Sequence, residues 1–197
     1  MRKELSISFR AEADKNILQQ TAEAAGRYGF DVISVYDDLG DPSPMAPLMT
    51  FAKNSETPRI GPACIAVPKY ASVEPIVNDI SRLSLASNGR AYLGLTAGAW
   101  MEKIGLKSAS VQQLREAVEV SRYLLEKRDD GFTGRYYKIS SICHAIRTFE
   151  NSTIPLGQIQ FLTRNFQLII LYQLNTMIAI AWYSRISIWI VKLVELE

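Results

Sequence analysis

Two adjacent carboxylates, Asp37 and Asp38, close the apolar run from Asp31 to Tyr36. Carboxylates paired at a strand end can share a proton or hydrogen-bond the polar edge of a ligand, because two close negative charges resist ionising together. Successive strand residues point to opposite faces, so only one of the two is expected to face a pocket. The alternative is a solvated turn that caps the next helix. Other chemistry finds fewer parts. Cys64 and Cys143 are the only thiols and His144 is the only imidazole. Two thiols and one imidazole leave a tetrahedral zinc site without its fourth ligand, so no metal site is expected. The same two cysteines cannot form a disulfide framework, and they read as small buried apolar residues.

These residues have to be positioned by something. Four short apolar runs recur: Leu5 to Phe9, Asp31 to Tyr36, Ile60 to Val67 and Ala91 to Leu95. Each is followed by a stretch of helical period. The first such stretch, Asp14 to Tyr28, shows Ile17, Thr21, Ala24 and Tyr28 along one face. The second follows a loop holding Gly40, Pro42, Pro44 and Pro47, and passes through Met49 and Ala52. The third opens near Ser72, with Ile76, Ile80 and Leu83 as its stripe and Pro75 in its first turn, where a missing N–H costs little. The fourth starts at Ser110 with Gln113 three residues on, a capping box, and carries Val111, Leu114, Val118 and Leu125. The runs recur about every 30 residues, the size of a βα unit. They read as apolar throughout, which predicts parallel strands buried on both faces and hence an α/β fold. An open doubly wound sheet and a (β/α) barrel both fit. No Gly-x-Gly-x-x-Gly follows the first run, so the dinucleotide fingerprint of the open fold is absent.

Composition excludes several classes. The 197 residues amount to one domain's worth of chain. A net charge of +2, with both signs interspersed, lacks the basic stripe of a general nucleic-acid binder, so no nucleic-acid partner is expected. An apolar content of 48 % is too high for a disordered chain. Met1 to Phe9 has a basic pair but no long apolar core, unlike a secretory signal, and the expected compartment is the cytoplasm. The character changes after Glu150. No acidic residue occurs from Asn151 to Val194, and Phe166 to Trp182 is uncharged. That run has the length of a membrane span, but Gln167, Gln173 and Asn175 interrupt it, so no membrane partner is expected.

Several segments in order carry a likeness to a known family. They are Gly29-Phe30-Asp31, Val35-Tyr36-Asp37-Asp38, Pro58-Arg59-Ile60-Gly61-Pro62-Ala63 and Gly89-Arg90-Ala91-Tyr92-Leu93-Gly94-Leu95. Together they resemble the bacterial luciferase-like oxidoreductase superfamily. Gly94 to Trp100 and Phe132-Thr133-Gly134-Arg135-Tyr136-Tyr137 are similar to its deazaflavin-dependent branch, which includes methylenetetrahydromethanopterin reductase. The resemblance covers about Leu5 to Pro155 and implies a (β/α)8 TIM barrel, of which about four βα units are present.

By that resemblance the cofactor is coenzyme F-420, with FMN as the alternative, bound at the C-terminal ends of the strands. The barrel rule puts any active site on the same face. The resemblance assigns Asp37 and Asp38 as the acid–base pair, Asp38 standing where relatives often have His. It places Ala63, Cys64 and Ile65 behind the ring, at a non-prolyl cis peptide that the family commonly carries; the other account of these small residues is a crowded interior. Thr96, Ala97 and Gly98 would touch the ring, Thr96 donating to a ring nitrogen and Gly98 admitting close backbone contact. Trp100 reads as packing and His144 as structural. The implied reaction is hydride transfer between reduced deazaflavin and a small organic substrate, in which the protein supplies orientation and a dry cavity.

The chain also departs from the pattern. Ile154-Pro155-Leu156 resembles the start of a fifth strand, but no recognisable strand, glycine turn or Asp-Gly follows. Residues 1–150 are therefore expected to form the N-terminal half of the barrel, and residues 151–197 an apolar tail that is either divergent or translated out of the ancestral frame. A half-barrel exposes sheet edges and an apolar face unless the tail covers them, so either a homodimer or a poorly soluble monomer is expected. The alternative to an oxidoreductase is a truncated, non-catalytic remnant or an FMN-binding protein of the same superfamily.

Overall fold

The computed structural model describes residues 4–11, 14–126 and 128–140 with their side chains, and residues 159–162 and 189–192 as backbone. Its strands are β1 (Leu5–Phe9), β2 (Val32–Val35), β3 (Arg59–Pro62), β4 (Ile65–Ala66), β5 (Leu93–Thr96), β6 (Phe132–Thr133), β7 (Lys138–Ile139), β8 (Ile159–Leu162) and β9 (Trp189–Lys192). Its helices are α1 (Lys15–Arg27), α2 (Met45–Asn54), α3 (Glu74–Ala86) and α4 (Val111–Leu125), with single 3-10 turns at Val67–Lys69 and Met101–Ile104. Two compact units divide between Ala63 and Cys64; the first also holds β9 and the second β8.

In the first unit the strand order is β3-β2-β1-β9, with β1, β2 and β3 parallel and β9 antiparallel to β1. The register aligns Ile7, Ile33 and Ile60, and beside them Phe9, Val35 and Pro62. This face meets the helices: the Phe9 ring lies 5.2 Å from Phe51 of α2. The opposite face carries Ser8, Ser34 and Gly61 in register. So β1 alternates, with Leu5, Ile7 and Phe9 against Ser6 and Ser8, rather than being apolar throughout as expected; small residues, Ser8, Ser34 and Gly61, line the second face, of which Ser34 and Gly61 are buried.

Helix α1 is capped by Asp14, whose carboxylate accepts from the Asn16 N–H at 2.8 Å. Its buried stripe is Leu18, Ala22 and Ala25, one position off the expected face, and Ile17 and Tyr28 are exposed. The two alanines let α1 lie close against α2, which a stripe of larger side chains would hold off. At the N-terminal ends of the strands, the Leu5 N–H donates to Asp31 Oδ2 at 2.9 Å, and Arg59 pairs with Glu4 at 2.7 Å.

The second unit is a parallel sheet ordered β4-β5-β8. Ile65 pairs with Leu95 and Ala66 with Thr96. Helix α3 buries Ile76, Ile80 and Leu83 as expected, with Pro75 in its first turn, and packs against α4. Helix α4 opens on the expected cap: Ser110 Oγ accepts from the Gln113 N–H at 3.0 Å. Its stripe is broader than expected, taking in Leu114, Ala117, Val118, Ser121 and Leu124, while Val111 is exposed.

Strand β8 lies just past Ile154-Pro155-Leu156, where the sequence shows no recognisable strand. It is parallel to β5, with Leu93 opposite Ile159 and Thr96 opposite Leu162. Gln158, Gln160, Thr163 and Arg164 break the apolar pattern around Ile159–Leu162, so the sequence carries no strand signature there, and pairing with the edge of β5 defines the strand. Residues 166–182, Cys143 and His144 lie outside the described residues. Among the described residues no helix is long and apolar enough to cross a membrane.

Candidate functional site

In the first unit, two backbone bonds extend the parallel ladder past the strand ends. The Tyr36 N–H donates to the Phe9 carbonyl at 2.9 Å, and the Ala63 N–H donates to the Val35 carbonyl at 2.8 Å. Arg10 and Ala63 therefore follow directly on the C-terminal ends of β1 and β3, and Asp37 follows Tyr36 just past the end of β2. Burial separates the adjacent carboxylates: Asp37 is half-buried and Asp38 is exposed. The sequence did not single out Asp41. Its side chain is only 2 % exposed, and it takes the Arg10 guanidinium in a fork, Nη2 at 2.6 Å and Nε at 3.2 Å. The two residues are 31 apart and share no periodicity, so only the adjacency of β1 and β2 brings them together.

The chain bends between β3 and β4 at Ala63 and Cys64, both half-buried, and Ile65 is 1 % exposed. The run expected as one strand from Ile60 to Val67 is thus two. The expected cis peptide at Ala63-Cys64-Ile65 is not present; among the described residues every peptide bond is trans. Trans is the default geometry, and a non-prolyl cis bond would cost about 3–4 kcal/mol.

In the second unit the residue opposite Thr96 is Ala66; Ile65 stands opposite Leu95, and Cys64 precedes the paired strand. Thr96 is half-buried, and Ala97 and Gly98 are buried. The Thr96 hydroxyl accepts from the Gly98 N–H at 3.5 Å, and a hydroxyl that accepts there still has its own proton to give. Gly98 has φ +82°, and a Cβ on it would stand 2.8 Å from Met101 Cγ and Sδ. Packing of Met101 within the loop, together with the backbone angle, accounts for the glycine. Trp100 is not the packing residue expected. It is 54 % exposed, holds a left-handed φ of 53°, and has Lys103 Nζ 5.6 Å from its ring centroid.

Phe132 to Tyr137 supplies β6 and the turn of the hairpin that β7 completes. A residue that sequence reasoning missed, Glu116 of α4, fastens it. Its carboxylate accepts from three successive backbone N–H groups: Arg135 at 3.1 Å, Tyr136 at 2.8 Å and Tyr137 at 2.7 Å. A Cβ at Gly134 would overlap that carboxylate. The Gly131 N–H donates to the Tyr123 hydroxyl at 2.7 Å, and the Tyr123 and Phe132 rings are 5.9 Å apart. Burial pushes the Tyr137 phenol above its ordinary pKa, opposed by a hydrogen bond with Gln113 and aided by the Glu116 charge. The Phe-x-Gly-x-x-Tyr segment is thus a clasp on α4. Among the described residues no three of His, Cys, Asp and Glu are grouped to hold a metal ion.

Residues 7–156 match the luciferase-like monooxygenase family. The chain belongs to that family. Its luciferase-like segment is 28 % identical over 153 residues to 5,10-methylenetetrahydromethanopterin reductase of Archaeoglobus fulgidus, covering 76 % of this chain and 45 % of the relative. The fold is similar to coenzyme F-420-dependent tetrahydromethanopterin reductase of Methanopyrus kandleri, with TM-score 0.66 and 19 % identity, over 83 % of this chain and 50 % of that one. It is also similar to a type II Baeyer–Villiger monooxygenase of Pseudomonas putida in complex with FMN, with TM-score 0.61 and 16 % identity, over 83 % of this chain and 51 % of that one. These luciferase-like neighbours show the fold class, α/β in part of a TIM barrel. The chain spans about half the length of the relatives it matches.

Proposed function

We propose that this chain binds coenzyme F-420 at its C-terminal strand ends and takes part in hydride transfer to or from a small organic substrate. The observation that carries this reading is the end of β5: a Thr96 hydroxyl with a proton to give, followed by buried Ala97 and Gly98, with Ala66 opposite Thr96 and Ile65 opposite Leu95 on the neighbouring strand. A flat heteroaromatic ring needs such a wall of small side chains with one donor aimed at a ring nitrogen. The donor set fits the ring end of the cofactor. When bound, coenzyme F-420 would supply a hydride from its ring carbon in the reduced form and accept one there in the oxidised form.

In this reading Thr96 donates to the ring edge, and Ala97 and Gly98 line its face. Ala63, Cys64 and Ile65 exclude water behind it. Asp37, half-buried, holds the proton that enters or leaves the substrate, and exposed Asp38 exchanges it with solvent. Residues 1–150 form the part of the barrel that does this, and residues 151–197 are a divergent segment. A cytoplasmic location and a homodimer belong to the same proposal.

A second reading has its own support. The chain covers only about half of its relatives, and one structural neighbour carries FMN, which favours an FMN-binding or non-catalytic member of the family. Titration of the full chain with coenzyme F-420, with FMN in parallel, followed by cofactor fluorescence, separates the two. Saturable micromolar binding of coenzyme F-420 is the expected result. Binding of FMN alone moves the chain to the flavin reading, and binding of neither leaves the non-catalytic one.

A further inference from the structure

We infer that the Arg10–Asp41 pair is a positioning device that fixes the segment carrying Asp37 and Asp38 against the C-terminal end of β1. The inference rests on the assignment of those two carboxylates to acid–base work. The segment is tied at both of its ends to consecutive residues of one strand. At its start, the Tyr36 N–H bonds the Phe9 carbonyl at 2.9 Å. At its far end, Asp41 takes the fork of Arg10 at 2.6 and 3.2 Å. Only residues 37–40 span the interval, and Gly40, at φ +81°, makes the turn that brings Asp41 back. A four-residue loop with both ends fixed has few conformations left, so its carboxylates are held in place before any ligand arrives.

The chemistry of the tether suits that task. Asp41 is nearly sealed from water, and a carboxylate so placed requires a charged partner. Arginine meets it through two parallel N–H groups, which fixes direction as well as distance. Lysine offers a single rotatable point charge and keeps the attraction without the direction. Asp41 and Arg10 act through the loop and are not themselves assigned contact with substrate.

The test compares the full chain with R10K and R10Q. Backbone 15N relaxation is read first, and it needs no ligand. In the unaltered chain, residues 38–40 are expected to be as rigid as β2, with order parameters of about 0.85. In R10Q they should fall below about 0.6 while Ile33 and Val35 stay unchanged, with R10K between. Equal order parameters in all three chains, or a loop already mobile in the unaltered one, overturn the inference. Should R10Q fail to fold, R10K carries the comparison alone.

Activity is read second. The inference predicts a 10- to 100-fold loss of kcat in R10Q, because misplacing a catalytic group by about 1 Å costs that much. Affinity for coenzyme F-420 should be unchanged, and R10K should recover part of the loss. An undiminished kcat in R10Q overturns the inference. An unaltered chain that transfers no hydride overturns the acid–base assignment instead, and the relaxation result then decides the tether by itself.

Discussion

Glu116 and Asp41 are both shielded from water, yet they are satisfied in opposite ways. Glu116, 6 % exposed, accepts from three consecutive backbone N–H groups of the β6–β7 hairpin. Asp41, its side chain 2 % exposed, accepts from one guanidinium that is itself 48 % exposed. Backbone donors cannot withdraw without unmaking the hairpin, so the Glu116 region is a fixture. A side-chain fork on a half-exposed arginine is open to solvent ions, so the Asp41 region is a tether that holds its loop but can be loosened by salt or substitution. The difference follows location. The hairpin lies beyond α4, whereas Arg10 and Asp41 stand at the strand ends where a ligand is expected.

This contrast sets the size of each expected effect. Glu116→Ala should be the most damaging change, because three N–H groups lose their acceptor at once. With the hairpin partly open to water, the cost is about 3 kcal/mol. Glu116→Gln keeps one acceptor oxygen and should cost about half as much. Urea unfolding checks both, and equal values for the two variants would break the account of the nest. Gly134→Ala, which drives a methyl group into the Glu116 carboxylate, should cost about 2 kcal/mol, and combining it with Glu116→Ala should add almost nothing further.

Gly98→Ala should cost about 2 kcal/mol from its left-handed backbone and its crowding of Met101. Pairing it with Met101→Ala tests the crowding part: the coupling should be favourable, and strict additivity would show that backbone strain alone accounts for the cost. Asp41→Ala should cost only about 1 kcal/mol, since the Arg10 half of the pair is exposed and screened by solvent. That loss should shrink in about 1 M salt, where screening acts on the exposed half of the pair, while the Glu116→Ala loss should not. If the two respond alike to salt, the distinction between fixture and tether fails.

The smallest effect concerns pH. Tyr137 has its folded pKa raised above 10.0, with burial as the largest cause. Its contribution to stability is therefore complete below pH 10 and is lost as pH rises through the folded value, because the unfolded chain ionises first. The melting temperature measured between about pH 9 and 11.5 should fall less steeply in Tyr137→Phe than in the unaltered chain.

Much of the fold was legible where a local signal existed. Ser110 with Gln113, Pro75 in its first turn, and the Ile76-Ile80-Leu83 stripe are read within a few residues, and the structure places each as expected. The α1 stripe was misplaced by one position because its contact is made of alanines, which carry little hydropathy. Strand β8 was missed because its partner, β5, lies more than sixty residues away in the chain. The candidate site was legible only as strand ends and motif order. Thr96 ends β5, with Ala97 and Gly98 directly after it, but the reason for Gly98 is a methionine in a turn that no periodicity marks. Asp41 and Glu116 stayed hidden for a shared reason: each is a charged residue whose partner is fixed only by tertiary pairing.

Trp100 turns this geometry into an optical property. An indole 54 % exposed, four residues past Thr96, emits as a hydrated fluorophore open to collisional quenchers in the solvent. A pigment settling on the Thr96–Gly98 segment would lie within energy-transfer range of it and dim that emission. The loop thus carries its own reporter of occupancy, one that requires no label and no turnover.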